Sequence, residues 1–200
     1  MLLDRIVDEL LQSGVADLSL RPLAAEVETS ARMLIYHFGT KEQLVAEALG
    51  EVRLRIGRSL RARASERRPG SMGDVVTMVW DWATEPANHG YFRLLFEVDG
   101  LTMFDGLHLS GEVRRAGSRV WIDLIGEASG ALAEGDDEFT ARATLVVGAF
   151  TGLLQEFLST GDRARTTEAL SHLVELLART EPTPVPVPER PSRRPPSTTE

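Results

Sequence analysis

The sequence predicts an all-α fold: a small N-terminal helical unit joined by a long fourth helix to a larger helical body. Apolar residues recur at helical spacing along most of the 200 residues, and nothing alternates convincingly like a strand. Capping residues and glycine or proline stops divide that pattern into about nine helices. Leu2, Leu3, Ile6, Val7, Leu10 and Leu11 make the first stripe, closed by Gly14. Ser19 is placed to cap a second short helix, with Pro22 in its first turn and Leu20, Leu23, Ala24 and Val27 inward. Ser30 can cap a third, with Ala31, Leu34, Ile35 and Phe38 inward and Gly39 as its stop. Thr40 with Gln43 fits a capping box that opens the long fourth helix, through Leu44, Val45, Ala48, Leu49, Val52, Ile56 and Leu60. The arginine-rich stretch from Arg53 to Arg68 reads as its solvated end, broken at Pro69-Gly70.

Val75, Val76, Met78, Val79 and Trp82 restart the pattern, which breaks at Pro86. An apolar block from Tyr91 to Val98 precedes a loose segment around Gly100 to Gly111. Two long helices follow, Val113 to Leu132 and Phe139 to Leu158, with the acidic turn Glu134–Glu138 between them. A last helix runs from Thr166 to Ala178. Beyond it the chain has seven prolines in twenty residues and little apolar bulk, so a disordered tail is expected. The expected units are therefore 1–48, 49–180 and the tail 181–200.

Composition narrows the function. There is no cysteine, which excludes disulfides, thiolate metal sites and cysteine nucleophiles. No apolar run approaches the roughly 20 residues of a membrane span, so no membrane partner is expected. The N-terminus MLLDRIVDELL carries acids where a signal peptide needs bases, and a cytoplasmic location follows as the expectation. The net charge of -8 argues at first against nucleic acid. Its distribution along the chain argues the other way. Residues 1–68 hold 11 basic against 10 acidic side chains, whereas residues 69–180 hold 8 against 17. The N-terminal third is free to approach an anion.

Two short helices joined by a tight turn at Glu28-Thr29, packed on a first helix, describe a helix-turn-helix unit. Its third helix would enter the DNA major groove N-terminus first. With the inward set assigned above, Arg32, Met33, Tyr36 and His37 point outward. Arg suits guanine, Met a thymine methyl, and Tyr and His a phosphate or base. Lys41, in the first turn of the next helix, adds a point charge beside backbone amides suited to phosphate.

These residues resemble the TetR family of one-component bacterial regulators. The likeness rests on Leu18-Ser19, Leu23-Ala24, Ser30 and the run Tyr36-His37-Phe38-Gly39-Thr40-Lys41-Glu42-Gln43-Leu44, at a strict spacing from Ala24. It covers roughly residues 1–50; the rest matches in helix number, length and order. The resemblance implies a homodimer that binds double-stranded operator DNA and carries a variable ligand-binding body. Members usually repress and are released by a small molecule. It places the DNA contacts on Ser30, Arg32, Met33, Tyr36, His37 and Lys41. Three positions depart from the pattern. Glu28 stands where the turn usually has Gly, Ile35 where a Tyr commonly contacts phosphate, and Met1 almost at the first helix, so the basic arm of some members is absent or cut off.

The body offers Trp80, Phe92, Phe96, Met103, Phe104, Trp121 and Phe150 as candidate walls for a small, largely apolar ligand. Aromatics at helical spacing are usually plain core, yet bundles also hold pockets between helices. Phe150, Leu153, Leu154, Phe157, Leu158, Leu170, Leu173 and Leu177 give the last two long helices more than one apolar stripe, and the surplus is expected at a dimer interface. Gly148 and Gly152 would let helices approach closely there. Asp105, His108 and Glu112 would align on a single helix and could then meet a metal, but the glycine-rich surroundings favour a solvated cluster, so no metal and no cofactor is expected. Four scattered histidines, no glycine-rich phosphate loop and no zinc-protease motif leave an enzyme as the weakest reading. A helical interaction or scaffold protein that does not bind DNA is the more serious alternative.

Overall fold

The structure, a computed structural model, describes residues 1–129 and 137–180. The proline-rich tail, Leu132 and the first part of the acidic turn lie outside the described residues. Helices α1 (Leu2–Ser13), α2 (Leu20–Glu26) and α3 (Ala31–Phe38) precede the long α4 (Lys41–Arg67). Then come α5 (Met72–Ala83), a 3-10 turn at Pro86–Asn88, α6 (His89–Met103), α7 (Gly111–Ser129), α8 (Asp137–Thr160) and α9 (Arg163–Thr180). The α-helices match the predicted set in number and order, with no strand among the described residues.

Local chemistry sets most of the boundaries. The Ser30 hydroxyl accepts the Met33 N–H at 3.2 Å. Thr40 accepts from Gln43 N–H at 3.1 Å while the Gln43 side chain accepts from Thr40 N–H at 3.0 Å, completing the predicted box. Ser19 does stand at the start of α2, in extended conformation, but makes no side-chain capping bond. Gly14 and Gly39 end α1 and α3 at φ 77 and 76, in the region that favours glycine.

The first three helices close over Ile6, Val7, Leu10, Leu23, Val27, Leu34 and Phe38, all buried. The floor of that core is α4, through Leu44, Val45 and Ala48. Further along, α4 turns Val52, Ile56 and Leu60 into the body, where α5 lies packed against α4, α7, α8 and α9. Trp80 is buried at the centre of that packing; its Nε1 donates to Thr167 Oγ1 at 3.0 Å, and its ring meets Phe150 edge-on at 5.8 Å. A buried tryptophan with its N–H satisfied is a core anchor.

The arginine run on α4 is more engaged than a solvated end. Arg55 reaches Asp4 and Asp8 on α1 as well as Glu51 on its own helix. Burial works against its charge, but the hydrogen bonds it donates to the three carboxylates outweigh that and hold it more firmly protonated than usual. Arg63 pairs with Glu85 at 2.6 Å, Arg67 with Asp81 at 2.8 Å, and Arg61 with Glu127 at 3.4 Å. Each partly exposed pair adds at most about 1 kcal/mol. Together they orient α4 against α1, α5 and α7.

A second joint links body to N-terminal unit. Glu97, on α6, accepts the backbone N–H groups of Val15 and Ala16, both at 2.9 Å. A methyl group on Gly14 would fall 2.5 Å from that carboxylate, so glycine allows the approach as well as the turn. Asp105 takes a left-handed turn (φ 58) after α6, and α7 begins only at Gly111, so Asp105, His108 and Glu112 do not share a helix. No metal-holding group of His, Asp and Glu forms among the described residues. By length and composition α8 is apolar enough to cross a membrane. Its faces differ, however: Ala143, Val146, Phe150, Leu154 and Phe157 are buried, while Thr144, Leu145, Gly148 and Gln155 face out.

Candidate DNA-binding surface and body cavity

On α3, Leu34 and Phe38 point into the core and Ala31 is half-buried, leaving Arg32, Met33, Ile35, Tyr36 and His37 open to solvent. Ile35, predicted to face inward, is instead 52% exposed. Leu34 and Phe38, four apart, define the inward line, and Ile35 sits about 100° around the helix from Leu34. Tyr36 is 78% exposed, and its ring meets that of His37 edge-on at 5.3 Å. Ser30 is exposed at the start of the helix, with its hydroxyl engaged in the cap. Lys41 is half-buried in the first turn of α4. All six predicted contact residues thus lie on, or border, the one short helix and the turn that follows it.

Glu28, in the turn before α3, adopts φ 54 and pairs with Arg5 at 2.7 Å. A side chain in the left-handed region costs about 1–2 kcal/mol, whereas this highly exposed ion pair returns at most about 1 kcal/mol. Glu28→Gly is therefore expected to hold stability or raise it slightly, by less than about 1 kcal/mol, because the lost ion pair and the entropy of the added glycine offset most of the relieved strain. Removing an acid beside α3 should also tighten DNA binding, most visibly at low salt. Thermal melting and a salt series of DNA titrations check both; lower stability with unchanged affinity would contradict them.

The body encloses a cavity of about 240 Å³ between α4, α5, α6, α7 and α8. Phe92, Phe96, Trp121 and Phe150 line it, joined by aliphatic residues such as Leu49, Val79, Val146 and Leu154. Phe92 and Trp121 stack at 6.0 Å. Four of the seven predicted wall residues are therefore in place. Trp80 is not among them, because its ring fills the core behind Phe150. Met103 and Phe104 end α6 facing solvent, Phe104 being 87% exposed, and do not reach the cavity. Sequence reasoning missed the cavity's charged residues, Arg53, Asp99 and Arg114. Helical spacing held the signal for two of them: Arg53 follows Leu49 by four and precedes Ile56 by three, and Asp99 follows Phe96 by three.

On the outer side of α8 and α9 runs a shallow apolar groove lined by Gly148, Ala149, Gly152, Leu153, Ala169, His172, Leu173 and Leu176. Nothing lies within 4 Å of where a Cβ on Gly148 or Gly152 would stand. Leu145 and Leu176 are 70% and 57% exposed. This changes the predicted interface set. Phe150, Leu154, Phe157, Leu170 and Leu177 are buried within the protomer, where bulky side chains fill the core. Leu153, Leu158 and Leu173 remain half-exposed, with Leu153 and Leu173 in the groove.

Residues 2–48 match the family model described as bacterial regulatory proteins, tetR family. The N-terminal unit is a TetR-family domain. Its match spans α1 to α3 and the first turns of α4, the same elements that carry the six predicted contact residues. No curated protein matches the chain. Solved structures resemble it over nearly its whole length. A transcriptional regulator from Rhodococcus sp. Rha1 aligns at a TM-score of 0.66 and 19% identity, covering 89% of this chain and 94% of that one. The multidrug binding protein EbrR, complexed with imidazole, aligns at 0.64 and 22% identity, covering 92% and 89%. SmeT, the repressor of the Stenotrophomonas maltophilia multidrug efflux pump SmeDEF, aligns at 0.56 and 17% identity, covering 89% and 87%. At these identities the likeness is one of fold. It shows a shared architecture, a small N-terminal helical unit followed by a helical body, over the described residues.

Proposed function

We propose that this protein is a homodimeric, ligand-responsive transcriptional regulator, a repressor that holds a pseudo-palindromic operator and leaves it when a small molecule enters the body. The observation that carries this reading is the exposed row Arg32, Met33, Tyr36 and His37 on α3 of a TetR-family domain. Residues 1–48 serve as the DNA-binding domain and 49–180 as the ligand-binding and dimerisation body. The protein acts in the cytoplasm and performs no catalytic step. Repression by SmeT and multidrug binding by EbrR, on the same fold, supply the analogies.

Two recognition helices related by a two-fold axis read two half-sites, so their spacing decides affinity. The cavity borders α4 and α6, and both helices bear on the N-terminal unit. A ligand that binds one arrangement of these helices better than the other shifts the population between them; one that binds both equally shifts nothing.

Recovery of bound genomic fragments with the purified protein tests the reading, and absence of any specific fragment would favour a helical scaffold instead. On the recovered operator, Arg32→Ala is expected to cost about 1–3 kcal/mol and to relax preference at one base pair. Lys41→Ala should weaken all sequences alike and flatten the salt dependence. Indistinguishable effects of the two substitutions across an operator library would refute this division of labour.

A further inference from the structure

Arg53 differs from the other arginines around it. It occupies the buried face of α4, between Leu49 and Ile56, and its half-buried side chain forms part of the cavity wall. Arg55, Arg58, Arg61, Arg63 and Arg67 on the same helix each reach a carboxylate. Among the described residues, Arg53 donates no hydrogen bond and has no carboxylate within ion-pair distance. Its position depends on Gly117 of α7, where a Cβ would lie 2.9 Å from a terminal nitrogen of the guanidinium. That missing side chain gives the guanidinium its seat against α7.

The remaining charges refine the picture. Arg114 and Asp99 also line the cavity, both as exposed side chains, so the three together leave one positive charge in excess. Burial draws the Arg53 guanidinium below its ordinary value, an effect that Asp99 opposes through space. Partial desolvation at the cavity wall likewise raises the Asp99 carboxyl, opposed by Arg53. A partly desolvated guanidinium whose N–H donors meet no acceptor is an unfavourable arrangement. A planar anion that accepts from its fork of N–H donors relieves it. An ammonium would instead meet two guanidiniums and a single acid, and a dianion would exceed the one uncompensated charge.

We infer that the cavity takes a monoanionic organic acid, its apolar body among Phe92, Phe96, Trp121 and Phe150 and its carboxylate on the Arg53 guanidinium. This rests on the reading of the cavity as the ligand site and names the ligand's chemical class.

Octanoate, octanol and octylamine share one tail and differ in head charge, so calorimetric titration of the full chain with each isolates the head. Octanoate is expected to bind at least tenfold more tightly than the other two. Arg53→Gln should reduce octanoate to the affinity of octanol and leave octanol unchanged, and Arg53→Lys should restore part of the difference. Gly117→Ala keeps the charge but displaces the guanidinium, so it should weaken octanoate selectively. It provides a second test should Arg53→Gln fail to fold. Octanol or octylamine binding as tightly as octanoate, no octanoate binding up to millimolar concentration, or octanoate binding insensitive to these substitutions overturns the inference. Operator titrations with and without octanoate separate it from the regulatory reading. Arg53-dependent binding that leaves operator affinity unchanged keeps the acid site and removes induction. Operator release by octanol as readily as by octanoate keeps induction and removes the acid site.

Discussion

Gly152→Glu is expected to leave the protein a monomer and to weaken binding to a complete operator by roughly 10²–10⁴-fold, the advantage that a second tethered half-site confers. Gly152 lies in the outer groove of α8 and α9, four residues from Gly148, with open space above both. In a two-fold interface each residue near the axis meets its own copy or a close neighbour. Glutamate at this position would place two like charges in a contact otherwise formed by Ala149, Leu153, Leu173 and Leu176, at a cost of several kcal/mol if buried unpaired. The protomer itself should not suffer, since glycine is the poorer helix former by about 0.5–1 kcal/mol. Light scattering at micromolar concentration, far-UV circular dichroism and operator titration test the claim together. A folded dimer with full operator affinity would place the interface elsewhere.

Glu97→Ala is expected to lower stability by about 2 kcal/mol and to blunt any effect of a body ligand on operator affinity. Its carboxylate holds two N–H groups of the loop after α1, and hydrogen bonds to a charged acceptor are worth about 1.5–3 kcal/mol each before allowance for solvent. In a chain of this size the melting temperature should fall by roughly 4–8 °C. Phe92, Phe96 and Val98, on the same helix, touch the cavity, so movement of α6 reaches the N-terminal unit through Glu97. Glu97→Gln, which retains an acceptor, should recover part of the stability. A variant that melts lower yet keeps the full ligand response would assign the coupling to α4 alone.

The fold is legible in the sequence because its signals are local. Thr40 with Gln43, Ser30, Gly14 and Gly39 act within a few residues, and the 3.6-residue period of the apolar side chains does the rest. Where the pattern misleads, the physical reason is the same each time: hydrophobicity is an imperfect measure of burial. Ile35 is apolar and exposed, whereas Arg53 is charged and lies half-buried on the apolar face of α4. On α8 the period shows two apolar faces but not which one meets the protomer's own core. Packing volume decides that, drawing Phe150, Leu154 and Phe157 inward and leaving Gly148 and Gly152 outside. The grouping of the six predicted contact residues is visible in the sequence because one short helix carries nearly all of them. The cavity draws on five helices, so helical spacing can mark an inward-facing side chain such as Phe92 or Arg53, but tertiary contacts decide which of these side chains meet.

The length of α4 bears on how such proteins can be recombined. The family match ends at residue 48, yet α1 is still gripped further along the same helix, where Arg55 binds Asp4 and Asp8. The N-terminal unit is therefore not a detachable cassette with a seam at its nominal edge. A chimera spliced at residue 48 would graft the helix-turn-helix onto a foreign stem lacking that arginine. One spliced beyond Leu60 would carry the grip along, but it would also bring Leu49 and Arg53 of the cavity wall. Any exchange of the N-terminal unit that keeps the Arg55 contacts thus carries part of the cavity wall with it.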